Sequence, residues 1–180
     1  YCLIILFNQN LESQNLGNIT IYNTSNSELA YNQVNCIEFD NEGRLWIGTQ
    51  NGLSIFNEAD NSWINISNNN LPTNIITALE FNNLNETYSK MFVGTSEGIA
   101  LALWESELIG TQGENITWYE QYGSTCIPNN GIISSLLYDN ELWSGSTEGL
   151  CVQYLGPEGS WLLQNTETGF YSNNITSIKY

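Results

Sequence analysis

The string GTSEG at 94–98 has the G-x-S-x-G spacing with which many hydrolases present a nucleophilic serine. A serine nucleophile needs a neighbouring base to take its proton, and the sequence contains no histidine. Two related strings, GTQNG at 48–52 and GSTEG at 145–149, carry Gln50 and Thr147 at the serine position. We therefore interpret all three strings as hairpin turns and not as nucleophile sites.

Two pairs of glutamates could in principle supply the acid and base of glycoside hydrolysis. They are Glu105 with Glu107 and Glu114 with Glu120. The chain contains 19 acidic residues, so close pairs are inevitable, and no motif places either pair in a cleft. We expect no enzymatic activity and no cofactor.

Oxygen ligands for a hard cation occur in the triplet DNE, which is found at 40–42 and again at 139–141. Calcium prefers such carboxylate and amide oxygens. Neither triplet has the density of ligands that a dedicated calcium loop carries, and both read more simply as turns between strands. We predict no metal site.

The four cysteines, Cys2, Cys36, Cys126 and Cys151, show no C-x-x-C spacing. Without histidine, a zinc site is improbable. Two disulfides, with three possible connectivities, are expected if the protein is secreted, and buried free thiols are the alternative.

Charge excludes two classes of partner. Lys and Arg together number 3 against 19 acidic residues, which gives a net charge of −16. Nucleic acids and anionic membrane surfaces both need a basic footprint, so neither is expected to bind. The apolar run at 1–7 is too short to span a bilayer, and we interpret it as a strand.

The elements that must position these residues come from a repeat. The stretch DNEGRLWIGTQNGLSIF (40–56) reads as turn, apolar run, turn, apolar run, and related frames occur at 91–103 and 142–154. An apolar string ending in an aromatic residue precedes each frame and recurs at the end of the chain (33–39, 75–81, 132–138 and 174–180). It has a small residue at one fixed position: Cys36, Ala78, Ser135 or Ser177. A tryptophan-bearing string follows each frame (62–67, 116–122, 160–165). Each unit is therefore a four-stranded antiparallel meander, as in a propeller blade.

The spacing of these units predicts one all-β domain over 1–180 with about four blades: 33–72, 74–128, 131–172, and a blade split between 174–180 and 1–32. In the split blade, 2–7 is expected as the second strand and 18–22 as the fourth. The middle blade carries extra residues near 81–90 and 105–114, which we expect to be longer loops. Trp46, Phe92 and Trp143 hold one repeat position and are expected to stack between blades.

The residues at 18–57 resemble the two-component regulator propeller repeat, whose pattern includes D-x-x-G-x-[LI]-W-[IV]-G-T-x-x-G-[LI]. The resemblance extends over 62–103 and 129–165. It implies a β-propeller fold and no particular chemistry, because such repeats occur in sensor ectodomains and in secreted proteins.

The predicted split blade can be completed in two ways. The split blade could close within one chain or be completed by a neighbouring copy, and the strands concerned contain Asn174, Ile175, Ile178, Tyr180, Leu3, Ile5 and Phe7. With few charges and no catalytic constellation, our leading hypothesis is an extracellular structural subunit that assembles head to tail into a filament or surface layer. The alternative is a ligand-binding sensor or adhesion module of a larger secreted or membrane-anchored protein.

Six sequons are candidate glycosylation sites: Asn18, Asn23, Asn65, Asn85, Asn115 and Asn174.

Overall fold

The computed structural model describes residues 5–6, 20–67, 70–83, 88–105, 109, 113–122, 131–138, 141–154, 161–169 and 172–179. Within them lie fourteen β-strands and one short 3-10 helix, Thr166–Thr168. The strands are β1 (Ile5–Leu6), β2 (Thr20–Ile21), β3 (Val34–Phe39), β4 (Leu45–Thr49), β5 (Gly52–Asn57), β6 (Ser62–Ile66), β7 (Ile76–Asn83), β8 (Tyr88–Thr95), β9 (Gly98–Glu105), β10 (Thr117–Tyr122), β11 (Ser134–Tyr138), β12 (Glu141–Gly145), β13 (Leu150–Tyr154) and β14 (Trp161–Gln164).

Twelve of these strands form three sheets of four, in the orders β3-β4-β5-β6, β7-β8-β9-β10 and β11-β12-β13-β14. Every neighbouring pair is antiparallel and consecutive in the chain. The predicted all-β fold of four-stranded meanders is therefore confirmed, and we call the three sheets the first, second and third blade. Among the described residues, no helix is long and apolar enough to cross a membrane.

The repeated glycine frame forms the hairpin between the second and third strand of each blade. Thr49 Oγ1 donates a hydrogen bond of 2.7 Å to the carbonyl of Gly52 and accepts one from the N–H of Asn51. The second and third blades repeat both bonds with the hydroxyls of Thr95 and Ser146. Gly52 has φ +112°, a conformation that glycine adopts without a Cβ penalty. The hydroxyl and glycine of the frame are thus turn chemistry, as predicted.

The middle blade differs from the expectation of longer loops. β7, β8 and β9 are each eight residues long, against five or six for β3, β4 and β5. The pairing of β7 with β8 continues as far as Asn83 opposite Ser89. Part of the extra sequence at 81–90 therefore extends a hairpin, because antiparallel pairing satisfies backbone groups that a loop would expose.

The register of the third blade corrects the sequence alignment by one residue. Ser134 lies opposite Gly145, the position that Cys36 and Ala78 hold in the first two blades. The prediction that Ser135 holds it is wrong. The cause is the length of the turn, because two residues separate β11 from β12 whereas five separate β3 from β4. Alignment on the terminal aromatic residue is therefore displaced by one position in the third blade.

The predicted split blade is seen in part. β1 pairs directly with β2, Ile5 opposite Ile21, so no third strand lies between them and the predicted strand order is wrong there. The connecting sequence lacks the glycine frame that builds the hairpin elsewhere. At the other end, residues 172–179 form no β-strand. Closure into a four-bladed ring is therefore not confirmed.

The core is divided between the blades. One cluster joins the first and second blades through Trp46, Leu53, Met91, Val93 and Trp104, among others. A second cluster joins the second and third blades. A third covers the opposite face of the first blade, where Tyr22 and Leu29 pack on Phe56 and its neighbours. Face-to-face packing of successive sheets is the arrangement expected of propeller blades.

Candidate functional site

A glycine at the end of the second strand of each blade receives an isoleucine from the next segment of the chain. A Cβ added to Gly48 would lie 2.6 Å from Cγ2 of Ile76, and one added to Gly145 would lie 2.6 Å from Cγ2 of Ile175. Gly94 repeats the contact with Ile132 at 3.1 Å. These glycines let neighbouring inner strands approach closely. The contact also places residues 172–179 on the third blade as an incoming inner strand would lie.

Backbone hydrogen bonds support that placement. Ile132 donates its N–H to the carbonyl of Thr95 at 2.9 Å, and Ile175 donates to the equivalent carbonyl of Ser146 at 2.8 Å. The N–H of Ile178 donates to Ser134 Oγ at 3.2 Å. Of the predicted assembly residues, Ile175 and Ile178 are half-buried against the third blade and Asn174 is exposed. Ile5 lies in β1, whereas Leu3, Phe7 and Tyr180 lie outside the described residues.

The triplet at 40–42 is an ion-pair turn. Asp40, almost fully buried, accepts from Arg44 Nε at 2.7 Å and from Trp46 Nε1 at 2.9 Å, and the N–H of Arg44 donates to its other oxygen. Arg44 also pairs with Glu42. The carboxylate oxygens of Asp40 are thus occupied by donors. Among the described residues, no group of acids, histidines or cysteines is arranged to hold a metal. The second triplet begins at Asp139, outside those residues.

The aromatic repeat position lies in the core. Trp46 is fully buried and stacks on Trp104 of the second blade, with ring centroids 5.0 Å apart. Phe92 is buried between the second and third blades. Trp143 is half-buried and donates from Nε1 to Glu141 at 3.0 Å. An exposed aromatic platform is thus not present at this position.

Ser96, the serine of the hydrolase-like string, lies on a hairpin between blades. Its hydroxyl shares a 2.9 Å hydrogen bond with Thr73, and its N–H donates to the carbonyl of Ile75. The backbone of Gly131 passes so close that a Cβ there would lie 2.5 Å from Ser96 backbone atoms. These contacts link the second blade to its neighbours and place no base beside the hydroxyl in the described part of the chain.

The predicted carboxylate pairs are not assembled by the described residues. Glu105 is exposed and lines a pocket of about 340 Å³ at the end of the second blade, with Tyr88, Leu103, Trp104, Asn115 and Thr117. The Tyr88 hydroxyl donates to Glu105 at 3.4 Å. Glu107 and the side chain of Glu120 lie outside the described residues, and Glu114 is exposed.

Two other glutamates, which belong to no motif, have raised pKa values. Burial raises the pKa of Glu80 on β7 above its usual value, although the N–H of Leu137 donates to it, and the charge of Glu38 adds to the rise. Burial likewise raises the pKa of Glu38 on β3. Since β3 and β7 are adjacent inner strands, these two carboxyls lie at the centre of the array. Successive side chains of a strand point to opposite faces, and this alternation is the sequence signal that could have identified these two glutamates.

Lys90 is buried at the position that Arg44 holds in the first blade. Its Nζ lies 5.1 Å from the ring centroid of Phe92, and burial lowers its pKa. Arg44 similarly lies 5.9 Å from the ring of Trp104. Two of the three cations are therefore used within the fold, and Lys179 lies in the C-terminal segment.

The cysteines separate into two kinds. Cys36 has a free thiol, and its burial raises the pKa to about 12, which makes it a poor nucleophile. Cys151 is buried in the core and is disulfide-bonded. Cys2 and Cys126 lie outside the described residues, so the pairing stays a prediction.

Four sequon asparagines can be placed: Asn23, Asn65, Asn115 and Asn174, while Asn18 and Asn85 lie outside the described residues. The amide of Asn65 is engaged on both sides, since Oδ1 accepts from Ser54 at 2.6 Å and Nδ2 donates to the carbonyl of Glu28 at 2.8 Å. Asn23 accepts from the N–H of Ser25 in a turn. Asn65, Asn115 and Asn174 are exposed. Their occupancy stays a prediction.

Comparison with known proteins supports the resemblance seen in the sequence. Residues 28–51 match the sequence model of the family described as the two component regulator propeller. The predicted relationship is confirmed for this repeat. The match covers the inner strand, the ion-pair turn and the first glycine frame as far as Asn51. A comparison with curated proteins finds no match.

Solved structures share the fold. The extracellular domain of the one component system BT4673 from B. thetaiotaomicron is 18% identical, with a TM-score of 0.67 over 90% of this chain and 21% of its own length. The extracellular domain of the hybrid two component system BT3049 from the same organism is 21% identical, with a TM-score of 0.65 over 88% of this chain and 20% of its own. The chain has the fold of these domains and spans about a fifth of their length.

Proposed function

We propose that the chain is part of an extracellular β-propeller that acts as a ligand-binding sensor or adhesion module of a larger protein, and that it is not an enzyme. The observation that carries this proposal is the shared fold with extracellular domains of regulatory systems, of which the chain spans about a fifth. The family match over 28–51 supports the same role.

The contacts made by the repeated residues support a structural role for the repeat. The side chains that looked chemically capable, Asp40 and Ser96, are engaged in turns and contacts between blades. In a propeller whose repeat positions are used for packing, binding specificity comes from loops and from positions that vary between blades. The exposed pocket beside Glu105 is one such position.

The proposal is tested in the organism that makes the protein, with an antibody raised against residues 20–180. We expect a band several times larger than the 180-residue chain, and we expect protease to degrade it in spheroplasts whose cytoplasmic marker enzyme stays intact. A band of about the size of the chain, or protection equal to that of the marker, would contradict the proposal.

Self-assembly, the leading expectation from the sequence, is the second candidate. It is favoured by the exposed Ile37 and Phe39 on β3. It predicts concentration-dependent growth of the purified chain in light scattering, with regular fibrils in negative stain. A monomer at all concentrations would exclude it.

A further inference from the structure

The pocket beside Glu105 is built by a part of the second blade that the other two blades lack. The pairing of β8 with β9 continues for eight residue pairs, whereas β4 with β5 and β12 with β13 form five pairs each. Tyr88 opposite Glu105 is the last pair of the longer hairpin. Both residues line the pocket together with Leu103 and Thr117, which also lie opposite each other. The pocket is therefore a local feature of this blade.

Alternation along the strands places the pocket on one face of the blade. Leu103 is two residues from Glu105 on β9, so the two cross-strand pairs point to the same side of the sheet. Phe92 is four residues from Tyr88 on β8, lies on that side as well, and packs in the cluster shared with the third blade. Asn115, in the connection from β9 to β10, completes the described wall. The pocket thus lies at the end of the face directed toward the third blade.

The lining offers hydrogen-bond acceptors and apolar surface to a ligand. The Glu105 carboxylate is exposed, and its hydrogen-bond partner among the described residues is the Tyr88 hydroxyl at 3.4 Å. An ionised carboxylate only accepts hydrogen bonds and has about four lone-pair sites, so most of its capacity is open to a ligand. The Asn115 amide and the Thr117 hydroxyl can accept as well. Tyr88, which is 40% exposed, and Leu103 supply the apolar part of the wall.

In the described part of the chain, no lysine or arginine forms an ion pair with Glu105. Lys90 is the neighbour of Tyr88 on the same face, but its Nζ lies 5.1 Å from the ring centroid of Phe92, which is its neighbour in the opposite direction. Arg44 is paired within its own hairpin. The chain as a whole carries a net charge of −16, and such a field attracts cations and repels anions. The ligand that fits this wall is therefore positively charged.

We propose that the pocket formed by Tyr88, Leu103, Glu105, Asn115 and Thr117 binds a small organic ammonium ion that carries an apolar group. The ammonium donates charge-assisted hydrogen bonds to Glu105, and its apolar group packs on Tyr88 and Leu103. A volume of about 340 Å³ is at the lower end for ligand sites and suits one small molecule. The inference rests on the proposed function, because it names the ligand class of the exposed pocket that the proposed function uses for binding.

The test compares a cationic probe with its neutral analogue. The purified 180-residue chain is titrated calorimetrically with phenethylammonium chloride and, separately, with phenethyl alcohol, which has the same ring and chain but no charge. Glu105→Gln removes the carboxylate and keeps the shape of the side chain. The matched control is Glu97→Gln, which removes the same charge from the exposed hairpin at the opposite end of β9. That position is about 25 Å away, beyond the range of screened electrostatics at physiological salt.

We expect the ammonium probe to bind about tenfold or more tightly than the neutral probe. Glu105→Gln should weaken binding of the ammonium probe about tenfold or more and leave the neutral probe unchanged, whereas Glu97→Gln should stay within about twofold of the wild type. Equal affinities for the two probes would overturn the proposal. Equal losses in the two variants would also overturn it, because the overall charge and not the pocket would then attract the probe.

Failure of the ammonium probe to bind in the millimolar range would overturn the proposal as well. None of these results bears on the size or location of the natural protein, so failure here is distinguishable from failure of the proposed function.

Discussion

Replacing Gly48 with alanine tests whether close approach of inner strands sets the spacing of the blades. The added Cβ would lie 2.5 Å from Cys36 Sγ and 2.6 Å from Cγ2 of Ile76. Cys36 Sγ can rotate away about χ1, but the branched Cβ of Ile76 leaves its methyl little freedom. Overpacking of this kind costs about 1–3 kcal/mol, and the loss of chain entropy in the unfolded state returns about 0.4–1 kcal/mol. We expect Gly48→Ala to lower the free energy of unfolding by about 1–2 kcal/mol.

The assay is urea unfolding followed by tryptophan fluorescence, with Gly94→Ala as the matched control. The equivalent contacts at Gly94 are 3.1 Å, so small shifts of the neighbours can accommodate the methyl group. We expect that variant to stay within about 0.5 kcal/mol of the wild type. The difference between the two variants corresponds to about 0.5–1 M in the urea midpoint.

A double-mutant cycle with Ile76→Ala isolates the contact. The single substitution creates a cavity and costs about 2–5 kcal/mol. In the double variant the methyl group added at position 48 would fill part of that cavity, so we expect a loss smaller than the sum of the two singles by at least about 1 kcal/mol. Additive losses, or equal losses for Gly48→Ala and Gly94→Ala, would refute the reasoning.

Three further predictions follow from single side chains. The raised pKa of Glu80 means that its protonated form is favoured in the folded state, so stability present below about pH 4.5 is lost as pH rises through that pKa. Glu80→Gln should therefore raise the melting temperature at neutral pH and leave it unchanged in acid, while Glu97→Gln on an exposed hairpin alters neither. Asp40→Asn should cost about 2–4 kcal/mol in urea unfolding, since it leaves a buried guanidinium without its main partner, and a loss below about 0.5 kcal/mol would contradict this. In a secretory host that glycosylates sequons, peptide mapping should find a glycan on Asn115 and none on Asn65, whose amide is held by two hydrogen bonds, and the reverse pattern would refute the assignment.

The fold was predictable because the sequence of one four-stranded unit recurs three times. Turn residues such as Gly52 and the hydroxyl of Thr49 are local features, and they build the same hairpin wherever they recur. Register in the third blade was mispredicted because it depends on the length of one turn, and Ser134 rather than Ser135 lies opposite the glycine. A shift of one residue is invisible to a pattern of small residues but reverses which side chains face the core.

The candidate site was less predictable than the fold. Motif reading raised Asp40 and Ser96 as candidates and interpreted both as turn residues. Asp40 is held by Arg44 and Trp46 of its own hairpin, whereas Ser96 bonds to Thr73 of a more distant segment. The perturbed carboxyls of Glu38 and Glu80 have no motif, because their pKa values are set by burial between inner strands that come together only in the tertiary structure. The exposure of Ile37 and Phe39 was likewise not predictable, since both read as ordinary strand residues.

The repeat itself indicates where binding specificity lies. Positions that are the same in each blade have a packing explanation, such as Gly48 and Trp46 at the contacts between blades. A binding site that recognises one ligand needs a local arrangement that the other blades lack. The pocket beside Glu105 is such a place, because the second blade alone extends its strands there. Substitutions that seek function should therefore be made where the blades differ, whereas substitutions at repeated positions will report on stability.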